Sequence, residues 1–254
     1  MTKRLTCPAI RSFKSEKRPL VCLTAYSAQI ASLLDDHVDL LLVGDSLGMV
    51  LYGFDTTLPV TLDMMIAHGA AVVRGSNRAV VAVDLPFGAY QQSPQQAFEA
   101  ASRVMKETGA SAVKLEGGAE MAATIAFLVE RGIPVFGHVG LMPQHAQVVG
   151  GFVKQKNRDK ILADARAVEE AGAFAMVLEC VDEDLSREVC DAVSVPVVGI
   201  GAGSSCDGQV LVTEDMIGQG SGYVPSFVRQ YARVHEDISK AAENYAADVR
   251  TGKF

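Results

Sequence analysis

The sequence predicts an α/β fold in which a single (β/α)8 barrel spans residues 1–254. Eight short apolar runs alternate with amphipathic stretches, a pattern typical of parallel strands joined by helical crossovers. The chain has 254 residues, a length that suits eight such units. No linker or low-complexity segment divides it. These three observations favour a barrel over a doubly wound sheet.

Residues 1–18 are basic and place Ile10 and Phe13 at helical spacing. We expect a short N-terminal helix that closes one end of the domain. A targeting segment is the alternative reading, but the stretch lacks the Ser-rich, extended character of a transit peptide.

Eight runs have the composition of strands buried on both faces. They are LVCL from Leu20, LLLV from Leu40, VVAV from Val80, AVKL from Ala112, VFGH from Val135, AMVL from Ala175, VVGI from Val197 and QVLV from Gln209. A polar cluster, an amphipathic helix and a glycine are expected after each strand.

The predicted helices carry start and stop signals. Ser93 is followed by a proline and, three residues on, by Gln96, which is the pattern of a capping box. Glycines stand where a left-handed residue is expected to end a helix, at Gly75, Gly109, Gly132 and Gly172.

Two connections are longer than the usual strand-to-helix loop of a barrel, Leu51 to Pro59 and Gly150 to Lys160. Both follow the carboxyl end of a predicted strand, the side on which barrel enzymes keep their chemistry. We expect that both connections can fold over a site and that Gly150 to Lys160 is a mobile lid.

Composition narrows the classes of function. The formal net charge is −7 and no run of Lys or Arg occurs beyond the start of the chain, which argues against nucleic acid as a partner. No apolar run approaches the length of a membrane span, so a cytoplasmic protein without membrane association is expected. Five cysteines without CxxC spacing indicate neither a disulfide framework nor a zinc site.

Polar side chains stand at the carboxyl ends of five of the eight predicted strands. In a barrel these ends face one another across the mouth, however distant they are in sequence. The set comprises Asp45, Ser46, Asp84, Lys114, Glu116, His138 and Glu179.

Three of these carboxylates, Asp45, Asp84 and Glu116, offer oxygen ligands without accompanying cysteines or paired histidines. Oxygen-only sites suit a hard cation, so Mg2+ is the natural candidate, and its remaining positions suit a 2-oxo acid. The alternative for each aspartate is that it caps the following helix.

Three further side chains leave more than one reading open. Lys114 projects to the same side of its strand as Glu116. Its possible roles are a Schiff-base nucleophile, a partner for a substrate carboxylate and a structural counter-charge. The nearby carboxylates stabilise its ammonium form, which disfavours the role of nucleophile. His138 is a hydrogen-bond donor to substrate or a structural barrel histidine. Glu179, at the end of a buried run, is a candidate general base for a C–H proton.

The glycine-rich stretch GIGAGSS from Gly199 lies where barrels often bind phosphate. It lacks a GxGxxG context, so close approach of the backbone is the competing explanation.

Seven motifs occur in one order between about Leu20 and about Gly222: VGDSLGM, LPVT, DLPF, VKLEGG, GHVGLMPQ, VLECV and VVGIGAGSSCDGQVLV. They closely resemble the ketopantoate hydroxymethyltransferase (3-methyl-2-oxobutanoate hydroxymethyltransferase) family. The resemblance implies a barrel of the phosphoenolpyruvate/pyruvate type and a homo-oligomer, decameric in well-known members. It implies transfer of a hydroxymethyl group from 5,10-methylenetetrahydrofolate to 3-methyl-2-oxobutanoate, giving 2-dehydropantoate in pantothenate biosynthesis.

The resemblance also implies roles for the strand-end residues. Asp45, Asp84 and Glu116 fall on metal ligands and Glu179 on the proton acceptor of a Mg-stabilised enolate mechanism. The oxo acid would be held by Asp45, Ser46, Asp84 and Lys114; His138 is a further substrate contact by its strand-end position alone. Two rivals remain: a Mg-dependent 2-oxo acid lyase or aldolase of the same superfamily, and an inactive barrel that only binds the oxo acid.

The chain departs from the family pattern at four places. Ser27 replaces the aspartate of TAYD, Asp182 replaces the proline of ECVP, and Glu214 replaces the histidine before Asp215. The lid segment reads FVKQKN and is shorter. None of these positions belongs to the proposed metal set or is the proposed base.

Overall fold

The computed structural model describes residues 4–151, 153–220, 222 and 224–253. Its eight parallel strands close into a barrel in chain order. The strands are β1 (Leu20–Thr24), β2 (Leu40–Val43), β3 (Val80–Asp84), β4 (Ala112–Lys114), β5 (Val135–Gly140), β6 (Ala175–Glu179), β7 (Val197–Ile200) and β8 (Gly208–Leu211). The predicted fold class and all eight predicted strands are confirmed.

Helices precede and follow the strands in sequence. They are α1 (Cys7–Ser12), α2 (Ala28–Leu34), α3 (Leu47–Val50), α4 (Leu62–Gly75), α5 (Pro94–Thr108), α6 (Ala122–Glu130), α7 (Ala146–Val149), α8 (Arg158–Glu170), α9 (Glu183–Ala192), α10 (Thr213–Met216) and α11 (Val234–Thr251). Short 3-10 turns at Ala119–Met121 and Pro143–His145 precede α6 and α7.

The barrel interior is apolar in its lower part. Alternate strand residues point inward, and they pack with Ile10 and Phe13 in one buried cluster. Its strand members include Leu20, Cys22, Leu40, Leu42, Val80, Ala82, Ala112, Phe136, Ala175, Val177, Val198 and Val210. The predicted N-terminal helix is therefore confirmed as α1, and the open end of the barrel is the opposite one.

The other strand residues face the helices and form the larger core. Leu41, Val43, Val81 and Val83 pack there with helix residues such as Met65 and Val72. Burial on both faces explains why the strands read as continuous apolar runs rather than as alternating ones.

The helix signals are confirmed at most positions. The Ser93 hydroxyl accepts from the Gln96 backbone N–H at 3.1 Å, although the Gln96 side chain accepts from Gln92 rather than from Ser93. Gly109, Gly132 and Gly172 have positive φ.

The expectation for Gly75 is wrong, because this glycine is the last helical residue of α4. A Cβ there would lie 2.2 Å from the carbonyl oxygen of Ala28. The glycine therefore allows α4 to approach α2 closely instead of ending a helix with a left-handed residue.

Two connections differ from the expected pattern. Gly201 to Asp207 joins β7 to β8 without a helix, so the strand–helix alternation is incomplete there. The predicted lid, Gly150 to Lys160, is shorter than expected because its last three residues are the first turn of α8; Phe152 lies outside the described residues.

The chain divides into two compact units, Met1–Val210 and Leu211–Phe254. The first holds the barrel strands up to Val210, and the second contains α10 and α11. That residues 1–254 form a single domain stays a prediction, and residues 1–3, 221, 223 and 254 also lie outside the described ranges. Within those ranges, no helix combines the length and apolar character of a membrane span.

Candidate active site

The predicted site residues continue the inward alternation of the strands at the open end of the barrel. Asp84 ends β3 and is paired in register with Lys114, which ends β4. His138 lies two residues before the end of β5, and Glu179 ends β6 opposite Gly140. The apolar layers below thus give way to one polar layer.

Asp84 and Lys114 form a buried ion pair. The Lys114 ammonium donates to both Asp84 carboxylate oxygens, at 2.9 and 3.0 Å. Burial by itself would lower the pKa of Lys114, but attraction from Asp84, Glu116 and Asp45 outweighs it and raises that pKa above its usual value. The lysine is therefore held as a cation, which fits a charge partner and not a Schiff-base nucleophile.

Asp45 follows β2 and is buried beside this pair. Its backbone N–H donates to Asp84 at 3.2 Å, so the two aspartates are adjacent. Burial, followed by repulsion from Asp84, raises the pKa of Asp45 to about 7. Glu116, two residues beyond β4, is also buried, and burial and then repulsion from Asp45 raise its pKa. The positive charge of Lys114 is thus attracted by three buried carboxylates.

His138 lies between two glutamates. Its Nε2 is 3.3 Å from Glu179 Oε2, and its Nδ1 is 3.8 Å from Glu116 Oε1. The contact with Glu116 is too long for a hydrogen bond and the contact with Glu179 is not aligned as one, so both buried ring nitrogens lack a hydrogen-bond partner among the described residues. Burial and the charge of Lys114 lower the pKa of His138 and favour the neutral imidazole.

Glu179 is the most accessible acid of the layer, since 15% of its side chain is exposed. The next residue, Cys180, has a φ of 49°, a left-handed conformation that is uncommon for a residue other than glycine. This turn directs the chain out of β6 directly after Glu179. Strain of this kind is typical of functional sites.

Ser46 lies at the edge of the layer and is partly exposed. Its hydroxyl is 2.8 Å from the Tyr26 hydroxyl. The structure therefore gathers all seven strand-end residues near one mouth, with Ser46 peripheral and Asp84 central. What each of them binds stays a prediction.

Gln144 is a central residue that the sequence analysis missed. Its side-chain N–H donates to Asp45 at 2.9 Å and its backbone N–H donates to Glu116 at 3.0 Å. Its side-chain oxygen accepts from the buried Tyr90 hydroxyl at 2.8 Å. Gln144 lies inside the GHVGLMPQ motif, so the signal was present, whereas Tyr90 had none.

The long connections also reach the site. Thr57, from the Leu51 to Pro59 loop, is buried and lies next to Asp45. In the lid, Lys154 pairs with Asp182, and the Gln155 backbone N–H donates to the Cys180 carbonyl at 2.8 Å. The lid is thus attached to the residues that directly follow Glu179.

Two other sequence features have structural roles. Ser27 caps α2 by accepting from the Ile30 N–H at 3.3 Å. In the glycine-rich loop, the Ser204 and Ser205 hydroxyls donate to Glu183, at 2.8 and 3.2 Å. An internal carboxylate already takes these donors, which argues against a phosphate site.

The chain is similar to one known family over almost its whole length. The family model described as ketopantoate hydroxymethyltransferase matches residues 4–254. The chain belongs to this family. It is therefore an enzyme, a hydroxymethyltransferase, and the resemblance seen in the sequence motifs is confirmed.

Individual relatives agree over nearly the whole chain. The 3-methyl-2-oxobutanoate hydroxymethyltransferase of Bordetella petrii is 59% identical over 99% of this chain and 92% of that protein. The enzyme of the same name from Rhodospirillum centenum is 58% identical over 100% and 93%.

Solved structures with the same fold are more distant in sequence. Phosphoenolpyruvate phosphomutase from Streptomyces platensis subsp. rosaceus has a TM-score of 0.66 at 12% identity, covering 98% of this chain and 88% of that one. A 2,3-dimethylmalate lyase of the PEP mutase/isocitrate lyase superfamily has a TM-score of 0.61 at 15% identity, covering 98% and 89%. At these identities the likeness concerns the fold alone.

Proposed function

We propose that this family member transfers a hydroxymethyl group from 5,10-methylenetetrahydrofolate to 3-methyl-2-oxobutanoate, giving 2-dehydropantoate for pantothenate biosynthesis. The observation that supports it most directly is the buried polar layer. An ammonium, three carboxylates and an unpartnered histidine surround a mouth beside an accessible glutamate. Such a layer suits a small anion with a keto group and an acidic C–H.

A divalent cation at Asp45, Asp84 and Glu116 is part of the proposal. Three buried carboxylates against one lysine leave excess negative charge, and hard oxygen donors fit Mg2+. Among the described residues, no three acidic, His or Cys side chains yet converge as a ready ligand group. Asp84 is held through both oxygens by Lys114, so its approach to a cation would weaken one of these contacts.

The oxo acid would bind between this acidic set and Lys114. The lysine ammonium neutralises the substrate carboxylate, while Ser46 and His138 offer hydrogen-bond donors at either side. The two imidazole nitrogens without partners supply an independent reason to expect a polar ligand at His138.

Glu179 would remove the C3 proton of the bound oxo acid. Its Oε2 lies 3.3 Å from His138, which fixes the side of the mouth that the carboxylate faces. A bound cation supplies positive charge that polarises the 2-oxo group and makes this proton more acidic. Water would add to the folate-borne methylene, so that both of its C–N bonds to tetrahydrofolate break and the carbon reaches the aldehyde level. The carbon nucleophile formed at C3 would attack this carbon to form the C–C bond, and the new alkoxide would take up the proton that Glu179 removed. Lys114 would keep the substrate carboxylate in place throughout.

One assay tests the proposal. The purified chain should convert 3-methyl-2-oxobutanoate only when Mg2+ and methylenetetrahydrofolate are both supplied. Turnover without folate would indicate a lyase or aldolase instead. Binding of the oxo acid without turnover or proton exchange would indicate an inactive binding barrel.

The remaining expectations concern assembly and location. A homo-oligomer is supported by α11, whose eighteen residues include none that is buried. The decameric number rests on the family resemblance alone. The cytoplasmic location stays a prediction.

A further inference from the structure

Two cysteines on the outer side of the barrel, Cys190 and Cys206, are direct neighbours. Cys206 packs against the buried apolar cluster that contains Cys190, the two thiols interact, and both are free cysteines. Cys190 lies near the end of α9, and Cys206 lies in the connection from β7 to β8. Neither belongs to the polar layer described above.

The absence of a helix between β7 and β8 explains why Cys206 lies beside Cys190. Without a helix after β7, the short connection itself covers the strand, and Cys206 takes that position against Gly199. A Cβ on Gly199 would lie 2.8 Å from the Cys206 sulfur. Because α9 packs against the same strand, the sulfur of Cys206 is held between the two elements.

The surroundings of the pair separate the two thiols chemically. Lys14 donates to the Cys190 carbonyl at 2.6 Å and pairs with Asp207 at 2.8 Å, so a cation stands beside both. Interaction with Cys190, and then with Ser186, lowers the pKa of Cys206 despite burial. The interaction with Cys206, followed by burial, raises the pKa of Cys190.

Exposure separates the thiols in the same order. Cys206 is partly exposed, whereas Cys190 is only 8% exposed. A small oxidant therefore reaches Cys206 first.

We propose that Cys190 and Cys206 form a redox-modification site in which a peroxide oxidises Cys206 and Cys190 resolves the product to a disulfide. The Cys206 thiolate attacks one peroxide oxygen, so an S–O bond forms, the O–O bond breaks, and the leaving hydroxide takes a proton to become water. The Cys190 sulfur then attacks the sulfenic sulfur, an S–S bond forms, and the S–O bond breaks. The Cys190 proton leaves with the hydroxide as a second water.

The disulfide would connect α9 to the β7–β8 connection within one face of the barrel. It would close a short loop between positions 190 and 206 and thereby restrict the unfolded chain. The expected consequence is a higher thermal midpoint for the oxidised protein with its hydroxymethyltransferase chemistry retained, since the polar layer is not involved.

The test uses the folded, full-length chain treated with hydrogen peroxide, then alkylated and cleaved before aspartate under non-reducing conditions. Cleavage separates Asp184–Cys190 from Asp191–Cys206, so these peptides stay together only through the proposed bond. We expect a linked species lighter than the sum of both by two hydrogen atoms, and the loss of two of the five free thiols. Separate, unlinked peptides would overturn the proposal.

Variants assign the two roles. Cys190→Ser should leave Cys206 able to form a sulfenic acid, which a dimedone probe captures, whereas Cys206→Ser should abolish both the label and the link. Cys180→Ser is the matched control, because Cys180 is also partly exposed but burial raises its pKa to about 11. This control should keep the link, and a link that disappears in it would assign the reactive thiol to Cys180 instead.

Discussion

At the scale of single residues, Glu179 differs from the other acids of the mouth in its freedom. Asp45, Asp84 and Glu116 accept hydrogen bonds from Gln144, Lys114 or the backbone, whereas Glu179 lies 3.3 Å from a histidine ring that is not aligned to donate. A base must be able to accept a proton without first losing such bonds. This contrast favours Glu179 over the three buried carboxylates for C–H abstraction.

The first prediction follows for Glu179→Gln. Because the carbon nucleophile must form before it attacks, the wild type should exchange the C3 proton of 3-methyl-2-oxobutanoate with deuterated solvent when Mg2+ is present and folate is absent. Loss of a general base should slow this exchange by about 10² to 10⁴ while oxo-acid binding changes little. Proton NMR follows the exchange, and a wild-type rate in the mutant would make Glu179 structural.

Asp35 is a buried acid remote from this chemistry that organises the start of β3. Its carboxylate accepts four hydrogen bonds within 2.6 to 2.9 Å, from the Ser76 hydroxyl and from the backbone N–H groups of Asn77, Arg78 and Ala79. Burial alone would raise the pKa of Asp35, but these bonds outweigh it and lower that pKa.

The second prediction is that Asp35→Asn lowers the free energy of unfolding by about 1–3 kcal/mol at neutral pH. A lowered folded-state pKa means that the stabilisation is complete above the unfolded pKa, near 4, and is lost as pH falls through the folded value. Urea unfolding from pH 7 to pH 3 should therefore show the difference between mutant and wild type shrinking below about pH 4. The exposed neighbour Asp36→Asn is the control, and a difference that does not depend on pH would contradict the assignment.

Sequence patterns identify the charged residues of the site but not the groups that orient them. Asp84, Lys114, Glu116 and Glu179 were predictable because a charge next to a buried run needs a polar site. Gln144 acts through its backbone N–H as well as its side chain, and this depends on where the 3-10 turn places the chain. Such a role leaves little trace in residue type.

At the scale of elements, β5 and β6 approach each other closely beside the proposed base. Gly140 has a φ of 94°, and a Cβ there would lie 2.4 Å from the Glu179 carbonyl oxygen. The strand ends can pair at this point only if residue 140 has no side chain. The position of Glu179 therefore depends on a neighbouring strand as well as on its own.

The third prediction compares Gly140→Ala with Gly132→Ala. Both glycines have positive φ, but nothing lies within 4 Å of a Cβ at Gly132. Backbone strain should lower the free energy of unfolding by about 1 kcal/mol in each variant. Gly140→Ala should lower it further, because Glu179 must move to make room for the added Cβ. Only Gly140→Ala should slow C3 exchange, and equal exchange rates in both variants would show that the contact does not position the base.

The fourth prediction concerns the lid. The Lys154–Asp182 pair is about half exposed, so solvent screens it and it contributes little to stability, and a backbone hydrogen bond from Gln155 accompanies it. We expect the segment to open readily and to be protected by ligand. Trypsin should cleave after Lys154 and Lys156 more slowly when 3-methyl-2-oxobutanoate and Mg2+ are present, and Asp182→Asn should speed cleavage without them. Identical rates in all samples would argue against a lid.

Elements were more predictable than their connections. Continuous apolar runs identified all eight strands because both faces of each are buried, and Ser93 marked the start of α5. Gly75 was misassigned because a glycine at a helix end looks the same whether it adopts a left-handed φ or admits another helix. The absence of a helix between β7 and β8 was readable from the sequence, because the predicted strands that end at Ile200 and begin at Gln209 leave too few residues for a helix and its two loops.

At the scale of the whole molecule, α11 carries apolar residues that are exposed in the single chain. Ile238, Ala242, Tyr245 and Val249 recur at spacings of four, three and four residues, which places them on one side of the helix. Ile238, Tyr245 and Val249 are 56%, 59% and 49% exposed. An apolar stripe of this kind is typical of a surface that another subunit covers.

The fifth prediction is that introducing charge into this stripe reduces the size of the assembly. Ile238→Asp combined with Val249→Asp should give a smaller species by light scattering coupled to size exclusion, because two carboxylates would have to be desolvated at the interface. Asn244→Asp combined with Ala247→Asp adds the same charges away from the stripe and should keep the wild-type size. Circular dichroism checks that α11 still forms in both. An unchanged mass in the first variant would place the subunit contacts on another surface and leave the stripe without a role in assembly.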